Sequence, residues 1–306
     1  MGTGLHVKRM FGRRFAPNIG EKHMKESLKS MLDVSSTMLI TLYARARESK
    51  SKNPIINDHK AKEMINTIKK EIVESANQIH EMILKDRYNK KLSVSMSLRS
   101  RRFDKYATDF MHMHPKGTVL NLGCGLDTRF DRIDNGTINW FDIDFGEVIE
   151  LRKKFMEETE RRHFISESIL DPVWTKQITT KGPYLILAEG VFMYLTENEV
   201  KKLLTMIHEE FGKAELVCEV TNKYWVDKMK SNYMQWKFKH QLGMTGGAVF
   251  TFGIPDGNYF EEWNSNFKFI DEWTYFDDRE PKMGWSNMFS NLEKLRKVQW
   301  TIHYSI

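Results

Sequence analysis

The ten residues "NLGCGLDTRF" (121–130) constrain this chain more than any other stretch. An apolar run, "TVLNL" (118–122), leads straight into two glycines one residue apart, and a charged, helix-compatible segment follows. Strand, glycine turn and helix in that order make a nucleotide cradle in an open α/β sheet. Such a sheet needs further strand–helix units downstream, with parallel strands joined by right-handed crossovers.

Those units are present. "INWFDI" (138–143), "HFISE" (163–167), "YLILAE" (184–189) and "AELVCEV" (214–220) are short strand-like runs, and "GEVIELRKKFMEETERR" and "ENEVKKLLTMIHEEF" are helical in pattern. "FKFIDEW" (267–273) and "KVQWTIHYSI" (297–306) bring the expected strands to seven. The first 115 residues read as helix: "HKAKEMINTIKKEIVESANQIHEMIL" puts Ala61, Met64, Ile65, Ile68, Ile72 and Val73 at helical spacing, with Asn57 or Asp58 as a cap. The expected architecture is an α/β unit with a mostly parallel sheet over 116–306 and a helical N-terminal extension over 1–115. An aromatic-rich insertion at 221–265, with Tyr224, Trp225, Tyr233, Trp236, Phe238, Phe250 and Phe252, is the expected substrate lid.

Composition removes several classes of function. Two cysteines, Cys124 and Cys218, give no disulfide framework, and Cys124 reads as a small turn residue. No apolar run approaches the ~20 residues that span a bilayer. The basic start "MGTGLHVKRMFGRRF" has no apolar segment behind it, and His6 stands where a myristoylated Gly2 would want a hydroxyl residue, so a cytoplasmic protein is expected. The net charge of +6 is spread through helical patterns, which describes a solvated surface and not a nucleic-acid face. His112 and His114 in "MHMHP" have no acidic or thiol neighbours, so a loop ahead of a strand is expected there and no metal site.

In an open α/β sheet, ligands bind beyond the carboxyl ends of the strands. That puts Gly123–Gly125, Asp142 or Asp144, Ser168 with Ile169, and Glu189 along one rim. A dinucleotide needs a third glycine where this chain has Thr128, and Asp127 in the turn would repel a pyrophosphate. S-adenosylmethionine carries no phosphate. It asks for close backbone approach, an anion for its ammonium, a cation for its carboxylate and an acid for its ribose diol. The glycines supply the approach, and an acid about twenty residues beyond them suits a ribose, although a dinucleotide would ask for the same acid.

The blocks "VLNLGCGLDTRFDRI", "WFDIDFGEVIELRKK" and "LAEGVFMYLTENEVKKLL" resemble the signatures of the leucine carboxyl methyltransferase family, above all its bacterial branch of polyketide-type O-methyltransferases. "LYARARESKSKNPIINDHKA", "SLRSRRFDKY" and "FTFGIPDGNYFEEW" extend the likeness over most of 40–275. The resemblance implies a Rossmann-like class I methyltransferase that binds S-adenosylmethionine, releases S-adenosylhomocysteine and methylates a carboxylate or hydroxyl of a small, apolar or aromatic molecule. By matching position, it assigns Arg99 to the methionine carboxylate, Gly123, Gly125 and Asp127 to the cofactor loop, and Asp144 to the ribose. Glu189 falls at the cofactor's amino-acid end with Tyr194 close behind it, and these two are the catalytic candidates. Ser168-Ile169 stands where the family has Asp-Leu against adenine, so Ile169 keeps the packing and Ser168 offers a weaker acceptor.

A carboxylate acceptor is ionised at neutral pH and needs no base, whereas a phenol would gain from one. No histidine is placed for that task, and His208 is expected to face solvent or to pack. The alternatives are methylation of a protein's C-terminal carboxylate, a non-catalytic cofactor-binding protein, and an NAD(P)-dependent oxidoreductase of similar fold.

Overall fold

Strands with apolar side chains on both faces of the pleat have to be covered on both sides. "TVLNL" is such a strand. In the computed structural model, which describes residues 36–72, 78–87, 89–229 and 250–306, it forms β1 (Thr118–Leu122) and is buried throughout. The other six expected strands follow as β2 (Asn139–Asp144), β3 (Arg162–Ser166), β4 (Tyr184–Ala188), β5 (Ala214–Thr221), β6 (Lys268–Trp273) and β7 (Gln299–Ser305). They make one sheet in the order β3-β2-β1-β4-β5-β7-β6, parallel except for β7, which runs antiparallel between β5 and β6.

That order fixes where a ligand can enter. The chain works outward from β1 to β3, then returns to lay β4 on the other side of β1. The connections after β1 and β4 therefore leave in opposite directions and open a crevice at their carboxyl ends. The glycine turn and Glu189 are the residues that follow these two strands.

Among the described residues, four helices precede the sheet: α1 (Ser36–Glu48), α2 (His59–Glu71), α3 (Gln78–Leu84) and α4 (Lys90–Met113). Helix α4 lies on the sheet and buries Phe103, Ala107 and Phe110 among Val119, Leu185, Leu187 and Val217. Each such ring contributes roughly 1.5–3 kcal/mol on leaving water. Helices α1 and α2 share Leu39, Leu42, Met64 and Ile65 with Leu126 and Leu151, so they roof the glycine turn. Asp58 is the cap of α2 and accepts from the Ala61 amide. The later α-helices among the described residues are α5 (Arg129–Ile133), α6 (Gly146–Arg152), α7 (Glu197–Phe211), α8 (Lys223–Met229) and α9 (Glu293–Arg296). A reciprocal Thr196–Glu199 capping box starts α7. No described helix is long and apolar enough to cross a membrane.

Three local expectations are corrected. The segment "GEVIELRKKFMEETERR" is helical only to Arg152, where the chain turns and the Phe155 and Met156 amides both donate to the Arg152 carbonyl. The long helix expected after Asp58 reaches Glu71, and helix resumes at Gln78; Val73 lies outside the described residues. His112 sits in the last turn of α4 and His114 caps it, so "MHMHP" closes a helix before the strand. Residues 1–35 and 230–249, with Gly2, His6, Tyr233, Trp236 and Phe238, also lie outside the described residues.

Candidate functional site

The turn after β1 is set by two glycines with positive φ, +59° at Gly123 and +49° at Gly125. A Cβ on Gly125 would stand 2.9 Å from Met38 Sδ, and one on Gly123 would stand 2.7 Å from Val191 Cγ2. The glycines are therefore required by the chain's own packing, with α1 above and the β4 connection beside, as well as by any ligand that approaches the backbone.

Two acids end β2, and the structure separates them. Asp142 is fully buried and receives Arg152 Nη2 at 2.6 Å, Asn121 Nδ2 at 2.8 Å and Trp140 Nε1 at 3.0 Å. It is a strut, with no lone pair facing a ligand. Asp144 stands at the rim, where it accepts the Gly125 amide on Oδ2 and the Phe145 amide on Oδ1, both at 2.8 Å. Burial raises its pKa above the ordinary carboxylate value. Arg152 is a residue that the sequence did not single out. Its Nη1 donates to the carbonyls of Gly125 and Asp127 while Nη2 holds Asp142, so one guanidinium ties the turn to β2.

Across the crevice, Arg99 of α4 donates from Nε to Glu189 Oε1 and from Nη1 to Glu219 Oε2, each at 2.8 Å. Its Nη2 has no hydrogen-bond partner among the described residues. Gly190 lies alongside, and a Cβ there would stand 3.5 Å from Glu219 Oε2 and 3.6 Å from Arg99 Nη1. The missing side chain leaves a cradle beside the guanidinium.

Glu189 also accepts from Arg129 Nη2 at 2.5 Å. Arg129, 1% exposed, reaches Asp127 and Asp104 as well, and Arg132 joins Asp104 to Asp58, which Arg45 pairs from α1. Four arginines and five carboxylates thus share one buried network. Within it, burial would raise the pKa of Glu189, but Arg99 and Arg129 outweigh this and hold it below the usual range. At Glu219 burial prevails over Arg99 and Tyr275, and the pKa is raised.

Glu219 was also missed by the sequence reading, although the signal was there: a carboxylate inside the apolar strand run "AELVCEV" has no reason to be buried unless something pairs with it. Its second oxygen accepts from Tyr275 OH at 2.7 Å.

The remaining candidates divide. Asp127 accepts from the Arg129 amide and from Arg129 Nη1, so its charge is spent inside the protein and the repulsion expected of it toward a pyrophosphate is largely neutralised. Ser168 uses its hydroxyl to accept the Leu170 amide at 3.3 Å, and Ile169 is 8% exposed in the main core, at the end of β3. Tyr194 is 42% exposed and packs edge-on to Phe250, with ring centroids 5.6 Å apart. Its hydroxyl has no hydrogen-bond partner among the described residues, and burial raises its pKa, so it remains a phenol.

Within the expected lid, Phe252 belongs instead to the core, stacked with Phe260. His208 packs edge-on to Phe267, away from the crevice. Both thiols are buried and burial pushes their pKa values up, as suits packing residues. Among the described residues no group of three or more His, Cys, Asp or Glu side chains is arranged to hold a metal ion.

The sequence model of the leucine carboxyl methyltransferase family matches residues 38–208. The tetracenomycin polyketide synthesis O-methyltransferase TcmP of Streptomyces glaucescens is 26% identical over 255 residues, 83% of this chain and 87% of that protein. The S-adenosyl-L-methionine-dependent methyltransferase dpfgK of Gibberella zeae is 31% identical over 202 residues, 62% of this chain and 66% of that protein. Among solved structures, the plantazolicin methyltransferase BpumL in complex with SAH is similar with a TM-score of 0.44 and 13% identity, over 92% of this chain and 98% of that one.

Proposed function

The chain belongs to the leucine carboxyl methyltransferase family and is an S-adenosylmethionine-dependent methyltransferase; on that premise we propose that it O-methylates a small apolar or aromatic molecule at a carboxylate or an acidic hydroxyl. The observation that carries the reading is Arg99. A guanidinium held on two sides by carboxylates, with Nη2 left open beside Gly190, is preorganised for a ligand carboxylate.

The residues at this crevice fit the cofactor. Arg99 would take the methionine carboxylate and Glu189 the ammonium, while Asp144 has lone pairs left for the ribose diol and Ile169 an edge for adenine. The cofactor supplies an electrophilic methyl group on a sulfonium. The protein's part is alignment and exclusion of water, which serve an in-line displacement well. Among the described residues the two histidines nearest the later strands, His208 and His303, pack against Phe267 and Tyr106 and not at the rim. A carboxylate acceptor is already ionised at neutral pH and needs no base, which makes it the simplest case. Tyr194, exposed and neutral, is suited to donate a hydrogen bond to that acceptor.

Calorimetric titration with S-adenosylmethionine and S-adenosylhomocysteine tests the cofactor assignment. Micromolar binding is expected in the native chain, lost in both Arg99→Ala and Asp144→Ala. Labelled methyl transfer onto a panel of aromatic acids and phenols then tests the acceptor class, and labelling confined to a protein C-terminus would sink the small-molecule reading.

A further inference from the structure

We infer that Glu219 sets the ligand preference of this crevice: it supplies one negative charge beyond what the arginines neutralise, and so favours the sulfonium form of the cofactor over its neutral product. The inference rests on the reading above that Arg99 and Glu189 hold the methionine end.

Glu219 is fully buried on β5, one side of the crevice from Glu189. Its two oxygens are held separately, Oε1 by Tyr275 OH and Oε2 by Arg99 Nη1. Arg99 already has Glu189 as a partner, so a second carboxylate is not needed to fix it. Burying that second carboxylate costs desolvation that a further positive charge would offset. With four arginines against five carboxylates, the network is one cation short. S-adenosylmethionine brings an ammonium, a carboxylate and a sulfonium, and is therefore a net monocation.

During transfer the methyl–sulfur bond breaks with its electron pair passing to sulfur, and a new carbon–oxygen bond forms to the acceptor. Sulfur's charge disappears while the charge of the network does not. The product is then held less well than a fresh cofactor, which favours exchange. Glu219 acts here as a positioning residue of the charge field, with no contact to the reacting atoms required. The groups facing it are Arg99 from α4, Glu189 and Tyr194 from the β4 connection, Tyr275 after β6 and Gln299 of β7.

The test titrates the full chain separately with S-adenosylmethionine and S-adenosylhomocysteine. For Glu219→Gln the affinity for the sulfonium form should fall about tenfold and that for the product stay within about twofold, the size expected of one partly screened charge. Glu219→Asp keeps the charge and should keep the preference. Equal losses for both ligands would make Glu219 a mere prop for Arg99 and overturn the inference, because both ligands carry the same methionine carboxylate. Failure of the folded native chain to bind either ligand would instead overturn the assignment of the crevice. If Glu219→Gln does not fold, Tyr275→Phe replaces it. Without that donor the Glu219 carboxyl protonates more readily, so the ratio of the two affinities should fall as the pH is lowered and recover as it is raised. A ratio that is flat with pH in Tyr275→Phe, and equal to that of the native chain, would overturn the inference.

Discussion

Helix α4 touches two charged clusters, and they are built from different cations. Toward its start, Arg99 enters the rim network, where every cation is an arginine. Two turns on, Tyr106 meets a second cluster on the same face of the sheet: His303 of β7 lies 2.9 Å from Glu215 of β5 and 3.9 Å from Asp271 of β6, and Tyr106 OH donates to Asp271 at 2.5 Å. Both clusters tie neighbouring elements through buried charge. Arginine does not titrate in the working range, so the rim keeps its positive charges at any working pH. Histidine does titrate, so the second cluster is a conditional clasp.

The pH windows of the two are opposite. Burial alone would lower the pKa of His303, but hydrogen bonds to Asp271 and Glu215 outweigh it and raise it from 6.5 to about 9. A cation raised in this way stabilises fully below its unfolded pKa and loses its contribution as pH rises through about 9. At the rim, Asp58, Asp127 and Glu189 are held low by their arginines against the opposing effect of burial. Their contribution is present above the ordinary carboxylate range and is lost only as acid protonates them.

The comparison breaks most visibly at Arg129. Arg129→Met should take the nearest cation from Asp127 and one of two from Asp104 and from Glu189, and cost about 3–5 kcal/mol, read as a lower midpoint in urea unfolding. A cost near zero would mean that the rim carboxylates find other partners. Removal of the conditional cation comes next: His303→Gln should cost on the order of 2 kcal/mol at pH 6, with the difference from the native chain shrinking to nothing above pH 9. A difference independent of pH would assign His303 to packing alone. The control is the exposed pair Lys105–Asp109 on the same helix, where Asp109→Asn should change stability by less than about 0.5 kcal/mol and the effect should vanish in added salt.

The half of the site nearest β1 and β2 was legible because its demands are local. Gly123 and Gly125 need positive φ at fixed places in a turn, and the acid that serves them comes one strand later. Even there, sequence left Asp142 and Asp144 unresolved. Only the neighbours decide between them, since Arg152 and Trp140 enclose one and the Gly125 amide turns the other to the rim. The seven strands were found within two residues because short apolar or alternating runs set between helical and turn segments carry them. Glu219 and Tyr275 escaped notice because they meet only after β7 has been laid between β5 and β6, a pairing that no short motif encodes. The ends of helices were the other weak point: α6 stops at Arg152 although Phe155 and Met156 follow and pack, because a turn closed on the Arg152 carbonyl replaces the helical ladder there.

The bond from the Gly125 amide to Asp144 makes that glycine a resident probe. A turn amide open to water exchanges its proton quickly, whereas this one is locked to a buried carboxylate and should resist deuterium. Ribose hydroxyls arriving at the same oxygens would redistribute that acceptor's electron density, and protonation of Asp144 would weaken the bond outright. A single glycine cross-peak in a nitrogen–proton spectrum can therefore report occupancy of the proposed ribose subsite without any label on the ligand.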